Sequence, residues 1–210
     1  MARGLRSLKP TGCAWVALAA LAGVGSLLAW WVPAAALDWQ PALAASEPWR
    51  AVTGAWVHWS GRHLAANLAG AAVVAAFGWA ARAPWPLALA WAVAWPLTQL
   101  GLLTRPELAH YGGLSGVMHA GTVIGVSWLL AGPRERLPGG SRWIGAGVGL
   151  SLLVKLWLEA PWGEVLRRSD EWDIAIAPLA HSSGAAAGAL CAAVALVTLR
   201  LRARHRQSAR

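Results

Sequence analysis

Runs of about twenty apolar residues, separated by short polar breaks that carry proline or clustered charge, recur along the whole chain. Six of them stand out, at about 12–32, 63–81, 85–103, 113–131, 143–160 and 178–199. About twenty apolar residues in a helix cross a bilayer. The breaks between them hold what a membrane interior excludes. Pro33, Asp38, Pro41, Glu47 and Pro48 follow the first run, and Arg82 and Pro84 the second. Thr104-Arg105-Pro106-Glu107 follows the third, and Gly132-Pro133-Arg134-Glu135-Arg136 the fourth. The fifth is followed by a loop with Glu164, Arg167, Arg168, Asp170, Glu171 and Asp173. Proline and charge at these positions end helices and mark water or interface. The pattern predicts an all-α membrane protein, one domain over residues 1–210 with six spans and a basic tail at 200–210. The first run, behind Arg3, Arg6 and Lys9, also resembles a secretory leader, with Ala34-Ala35-Ala36 as a cleavage site. Its length is that of a span rather than of a leader's apolar region, so a retained first helix is expected.

Composition agrees with this pattern. Hydrophobic residues make up 57% of the chain, charged residues 13%, and mean hydropathy is +0.47, which excludes an ordinary soluble domain. The net charge of +9 does not point to nucleic acid, because the basic residues sit at the chain ends and between apolar runs. With the N-terminus inside, Arg3, Arg6, Lys9, Arg82, Arg134, Arg136, Arg142 and the five tail arginines face the cytoplasm, twelve in all. Arg50, Arg62, Arg105, Arg167 and Arg168, five residues, face the other side. The excess of inner positive charge places both termini in the cytoplasm. Cys13 and Cys191 lie in or beside apolar runs and are expected to be small packing residues, not a disulfide. Trp49, Trp56 and Trp59 in the first loop suit the headgroup level.

The fourth run opens on Tyr111-Gly112-Gly113-Leu114-Ser115-Gly116-Val117-Met118-His119, where a hydroxyl stands at the mouth of an apolar helix. A glycine-rich turn into a helix lets the backbone come close to a reacting group and leaves free N–H groups for a developing negative charge. That suits a serine nucleophile, although serine is also a common helix cap. The topology adds what the motif lacks. The second, fourth and sixth runs all begin on the outer side, so His63, Ser115 and His181 meet on one membrane face. Asn67, four residues after His63, lies one turn deeper. Gly184 and Gly188 follow His181 on one helix stripe and let a neighbouring helix approach closely. An ionisable group inside a span is a functional candidate by default.

Together Gly113-Leu114-Ser115-Gly116, Ala180-His181-Ser182-Ser183-Gly184 with Gly188, His63-Leu64-Ala65-Ala66-Asn67 and Trp49-Arg50 resemble the rhomboid family of intramembrane serine proteases, over roughly residues 49–190. The run Gly-Leu-Ser-Gly-Val-Met-His and the wealth of tryptophan look most like its rhombosortase subgroup. The resemblance implies a six-helix rhomboid-like bundle in a bacterial inner membrane, with its active site toward the periplasm. It implies cleavage of transmembrane proteins, those with a C-terminal Gly-Gly sorting tail. Ser115 would be the nucleophile and His181 the base, a dyad, because no acid lies in the second, fourth or sixth run. The Ser115 N–H, Asn67 and, by the resemblance, His63 would hold the oxyanion. His119 stands where the family commonly has an aromatic, and one turn from Ser115 it is also a rival base. Trp49 and Arg50 would anchor the first loop at the interface, with Arg50 on a lipid phosphate or a carbonyl. Lys155 and Glu159 form an i,i+4 pair that neutralises itself or docks a substrate tail. His58, His110 and His205 have no metal-ligand pattern, and neither metal nor cofactor is expected. A client-binding relative without activity and a small transporter are the rival readings. The first usually lacks the serine or histidine present here, and the second needs a polar path through the inner halves of the helices, which are largely Ala, Val, Leu and Gly.

Overall fold

A computed structural model describes residues 12–168, 170 and 172–208, so Arg3, Arg6, Lys9, Glu171 and Arg210 of the charge pattern lie outside the described residues. Helices form on all six apolar runs. They are α1 (Cys13–Ala29), two short loop helices α2 (Ala34–Leu37) and α3 (Arg50–Thr53), then α4 (Gly61–Ala80), α5 (Trp85–Leu100), α6 (Ser115–Ala131), α7 (Ser141–Glu159) and α8 (Pro178–Ser208). These eight α-helices make the described residues an all-α structure, with two isolated antiparallel bridges, Trp39 with Tyr111 and Arg167 with Ile176.

Three helical stretches are long and apolar enough to cross a membrane: Gly61–Ala80, Trp85–Thr104 and Pro178–His205. They mark a membrane protein. α1 and α6 are apolar but shorter, and α7 is diluted by Arg142, Lys155, Glu159 and three glycines. Two boundaries differ from expectation. α1 stops at Ala29, ahead of Trp30-Trp31-Val32 and Pro33. α8 continues through the basic stretch to Ser208 instead of ending near Leu199, because arginine favours helix and nothing there breaks it.

α6 and α8 form the most extensive helix pair. A Cβ added at Gly184 would fall on the backbone carbonyl of Gly116, and one at Gly188 would come within 2.8 Å of the Ala120 Cα. Small residues facing small residues therefore bring two backbones into contact. α1 packs on α4 and α5, and the buried Trp15 donates from Nε1 to the Val74 carbonyl at 2.8 Å while its ring lies 4.6 Å from that of Trp91. Trp91 and Trp128 are buried as well and donate to the carbonyls of Val117 and Ala81. Of the loop tryptophans, Trp49 and Trp59 are exposed, as expected, whereas Trp56 packs inward edge-on to Trp95. Cys191 is a buried packing residue, but Cys13 is exposed.

α7 is the peripheral helix. It meets α6 near Gly145 and Gly149, which lie against Leu129 and Val126, and its C-terminal half leaves Leu150, Leu153, Val154, Trp157 and Leu158 exposed. A second, smaller core of Trp39, Ala51, Leu102, Leu108, Tyr111, Ala177 and Ala180 joins the first loop to the entrances of α6 and α8.

Candidate active site

Ser115 is the first residue of α6, and its position is set by the turn before it. Tyr111 pairs with Trp39 through two backbone hydrogen bonds of 2.8 Å, and the Gly113 N–H donates to the Gly54 carbonyl at 3.1 Å. Gly113 has φ +135°, which L side chains rarely adopt. A Cβ there would also come within 2.9 Å of the His63 Nε2. The first intrahelical N–H bond of α6 runs from Met118 to Leu114. The N–H groups of Ser115, Gly116 and Val117 therefore have no intrahelical acceptor.

His181 enters from α8. Its Nε2 lies 2.9 Å from the Ser115 Oγ, across the close backbone contact that Gly116 and Gly184 permit. Gly116 matters twice, because a Cβ on it would come within 2.7 Å of the Ala180 carbonyl oxygen, one residue before His181. His119 stacks face to face on the His181 ring, with centroids 4.3 Å apart and planes at 12°. The His119 Nδ1–H donates to the Ser115 backbone carbonyl at 2.7 Å. The structure thus brings His181, and not His119, to the hydroxyl through a ring nitrogen.

α4 supplies the facing wall. Ser60 caps it, its Oγ accepting from the His63 N–H at 3.0 Å, so His63 falls in the first turn. The Trp59 N–H donates to the His63 Nδ1 at 3.4 Å, which leaves Nε2 as the protonated, donating nitrogen. Asn67 donates one amide hydrogen to the His63 carbonyl at 3.0 Å and retains another. His58 lies beside His63, with ring centroids 4.7 Å apart, and burial pushes its pKa down to about 4. It therefore adds no positive charge at neutral pH. Burial likewise pushes the Tyr111 hydroxyl up to about 12.

Ser115, His181, His63, Asn67 and His119 all line one cavity of about 260 Å³, and His110, Lys155, Glu159, Leu166, Trp172 and Ile174 line it too. The loop that carries the last three is tied down by Ser60, whose Oγ donates to Asp173 at 2.9 Å, and by Arg62 over the Trp172 ring.

One expectation is narrowed and one is corrected. Of the two partners expected for Arg50, a lipid phosphate or a carbonyl, the structure shows carbonyls. Arg50 is buried and donates to the carbonyls of Ala35 and Asp38 and to the Asp38 carboxylate at 3.0, 2.9 and 3.2 Å, and to Glu47 at 2.5 Å. Asp38 also meets His110 Nδ1 at 2.6 Å, so the first loop is folded around a buried ion pair. Secondly, the histidine is not without an acid. The Glu159 Oε2 lies 2.7 Å from the His181 Nδ1, and Lys155 pairs with the other oxygen of the same carboxylate. The carboxylate comes from the fifth apolar run, where the sequence shows it only as the i,i+4 partner of Lys155. The order of the runs carries the signal, since in an antiparallel series the fifth run ends at the level where the second, fourth and sixth begin.

Compared with protein-family models and with curated proteins, the chain matches none.

Proposed function

We propose that the protein is an intramembrane serine endopeptidase with six spans, a rhomboid-like bundle of the kind its motifs resemble. The observation that supports this reading most is the 2.9 Å approach of the His181 Nε2 to the Ser115 Oγ, made by two helices inside an apolar bundle and facing the cavity described above. A buried histidine on a serine hydroxyl has little structural purpose there, whereas a base on a nucleophile has a chemical one.

The Ser115 Oγ attacks the scissile carbonyl carbon as its proton passes to the His181 Nε2. The oxyanion is held by N–H groups at the start of α6 that have no intrahelical acceptor, by the His63 Nε2–H and by the remaining amide hydrogen of Asn67. The C–N bond then breaks and the leaving amine takes the proton from His181. Water gives a proton to His181 and its oxygen to the acyl carbon, which frees the acid and restores the hydroxyl. Substrates are transmembrane proteins reaching the cavity at the outer ends of the helices, and the resemblance assigns those with a C-terminal Gly-Gly sorting tail. The location is a bacterial inner membrane, both termini cytoplasmic and the site periplasmic.

The reading is tested by labelling the detergent-solubilised protein with a fluorophosphonate, which bonds to a serine oxygen as fluoride leaves. Wild type and His119→Ala are expected to label, and Ser115→Ala and His181→Ala to remain blank. Labelling that survives in Ser115→Ala, or an unlabelled wild type shown to be folded, refutes it. Asn67→Ala is expected to lower kcat on a cleaved substrate by roughly 100-fold with little change in KM, as for loss of one oxyanion donor. A loss confined to KM would place Asn67 in substrate binding instead.

A further inference from the structure

We propose that Glu159 is the positioning residue of His181 and that Lys155 holds it to that task. This rests on the serine protease reading above and replaces the expected dyad with a triad whose acid comes from the peripheral helix α7.

A neutral imidazole carries one N–H, and catalysis needs it on Nδ1 so that Nε2 can accept from the Ser115 hydroxyl. Two groups compete for Nδ1. The Glu159 Oε2 is 2.7 Å away and can only accept while ionised, and the Lys155 Nζ is 3.4 Å away and can only donate. Donation from Lys155 would place the imidazole proton on Nε2 and disable the base. The shorter contact belongs to the carboxylate, and the ammonium is instead paired with its other oxygen. Glu159 therefore selects the reactive tautomer, fixes the ring plane and faces the imidazolium that forms as the serine attacks. The side chain of His181 is only 8% exposed and that of Glu159 22%, so little water competes for the bond. The C-terminal half of α7 holds no buried residue, and it meets the reacting groups through Glu159 and, at the longer distance, Lys155.

A merely structural ion pair and a tautomer-setting one predict opposite orders among variants. In Glu159→Gln, Lys155 claims the single amide oxygen as its acceptor and turns the NH₂ toward Nδ1, which forces the proton to Nε2. Glu159→Ala leaves Nδ1 free to keep its proton. With a fluorophosphonate as the probe, the labelling rate is expected to fall at least ~100-fold in Glu159→Gln, a smaller loss than the roughly 10⁴-fold known for a carboxylate-to-amide change at a serine protease triad. Glu159→Ala is expected to lose only about 10-fold, on the same scale. The double variant Lys155→Met/Glu159→Gln, in which the amide is free to flip, is expected to recover about 10-fold over Glu159→Gln, as the tautomer constraint is lifted. Recovery also shows that the chain has folded. Wild-type labelling in Glu159→Gln, or a milder loss there than in Glu159→Ala, overturns the proposal and leaves the Ser115–His181 reading standing. Labelling of Ser115→Ala sinks that reading itself, so the two failures are distinct.

Discussion

Ser115→Ala is expected to abolish proteolysis while leaving the fold intact. In serine proteases loss of the nucleophile costs on the order of 10⁶-fold in kcat, because the serine and the base that activates it act as one unit. The same size of loss is expected here, down to the level of undetectable product over hours. The stability change is expected to be small. The hydroxyl bonds to the His181 Nε2 and is a hydrogen-bond partner of the Tyr111 hydroxyl, beside a cavity, and each such bond contributes about 1 kcal/mol. Cleavage of a transmembrane substrate in proteoliposomes measures the first effect and thermal unfolding in detergent the second. A variant that has lost both has been misfolded and says nothing against the hydroxyl, so Ser115→Cys serves beside it. It is expected to unfold at the wild-type temperature and to cleave far more slowly. Full proteolysis by a folded Ser115→Ala variant would remove Ser115 from the chemistry.

Gly184→Val is expected to damage stability and catalysis together. In α8 the added Cβ would fall on the Gly116 carbonyl, which belongs to the backbone of α6 and cannot swing aside as a side-chain tip can. Relief requires the two helices to part. Overpacking of a tight core costs about 1–3 kcal/mol, and more where backbone meets backbone. At least 3 kcal/mol is expected on that scale. The better helix propensity of valine over glycine, a few tenths of a kcal/mol, does not offset it. Parting the helices also lengthens the contact between His181 and Ser115, and a misplacement of about 1 Å can cost 100-fold in rate. Thermal unfolding together with fluorophosphonate labelling checks both. A variant that labels and melts like wild type would show that the two helices do not rely on this contact.

How much of this was legible in the sequence depended on whether the signal was local. Ser115, His181, His63 and Asn67 stand at starts of apolar runs, and one topological count places those starts on one face, so their meeting in a cavity could be read from hydropathy and charge. His119 was legible as the neighbour of Ser115 one turn along, although its stacking on His181 was suggested only by the family pattern. Glu159 was legible as the partner of Lys155 but not of His181, because the second, fourth and sixth runs hold no acid and the fifth reaches their starts only by its end. The burial of Arg50 with Asp38 and Glu47 was illegible for another reason. A loop rich in proline and charge reads as solvated, and only tertiary contacts such as the Trp39–Tyr111 pairing show that it is packed. The end of α8 was misplaced because hydropathy marks the end of an apolar run, not the end of a helix.

The contact of α6 with α8 also sets a time. Residue 181 leaves the ribosome 66 positions after residue 115. At 5–20 residues per second that interval is roughly 3 to 13 s. Until α8 has been threaded into the membrane and settled against Gly116 and Ala120, the hydroxyl at the head of α6 has no partner on Nε2 and no means of losing its proton. On the serine protease reading proposed above, the growing chain is inert until this late-made helix closes the bundle.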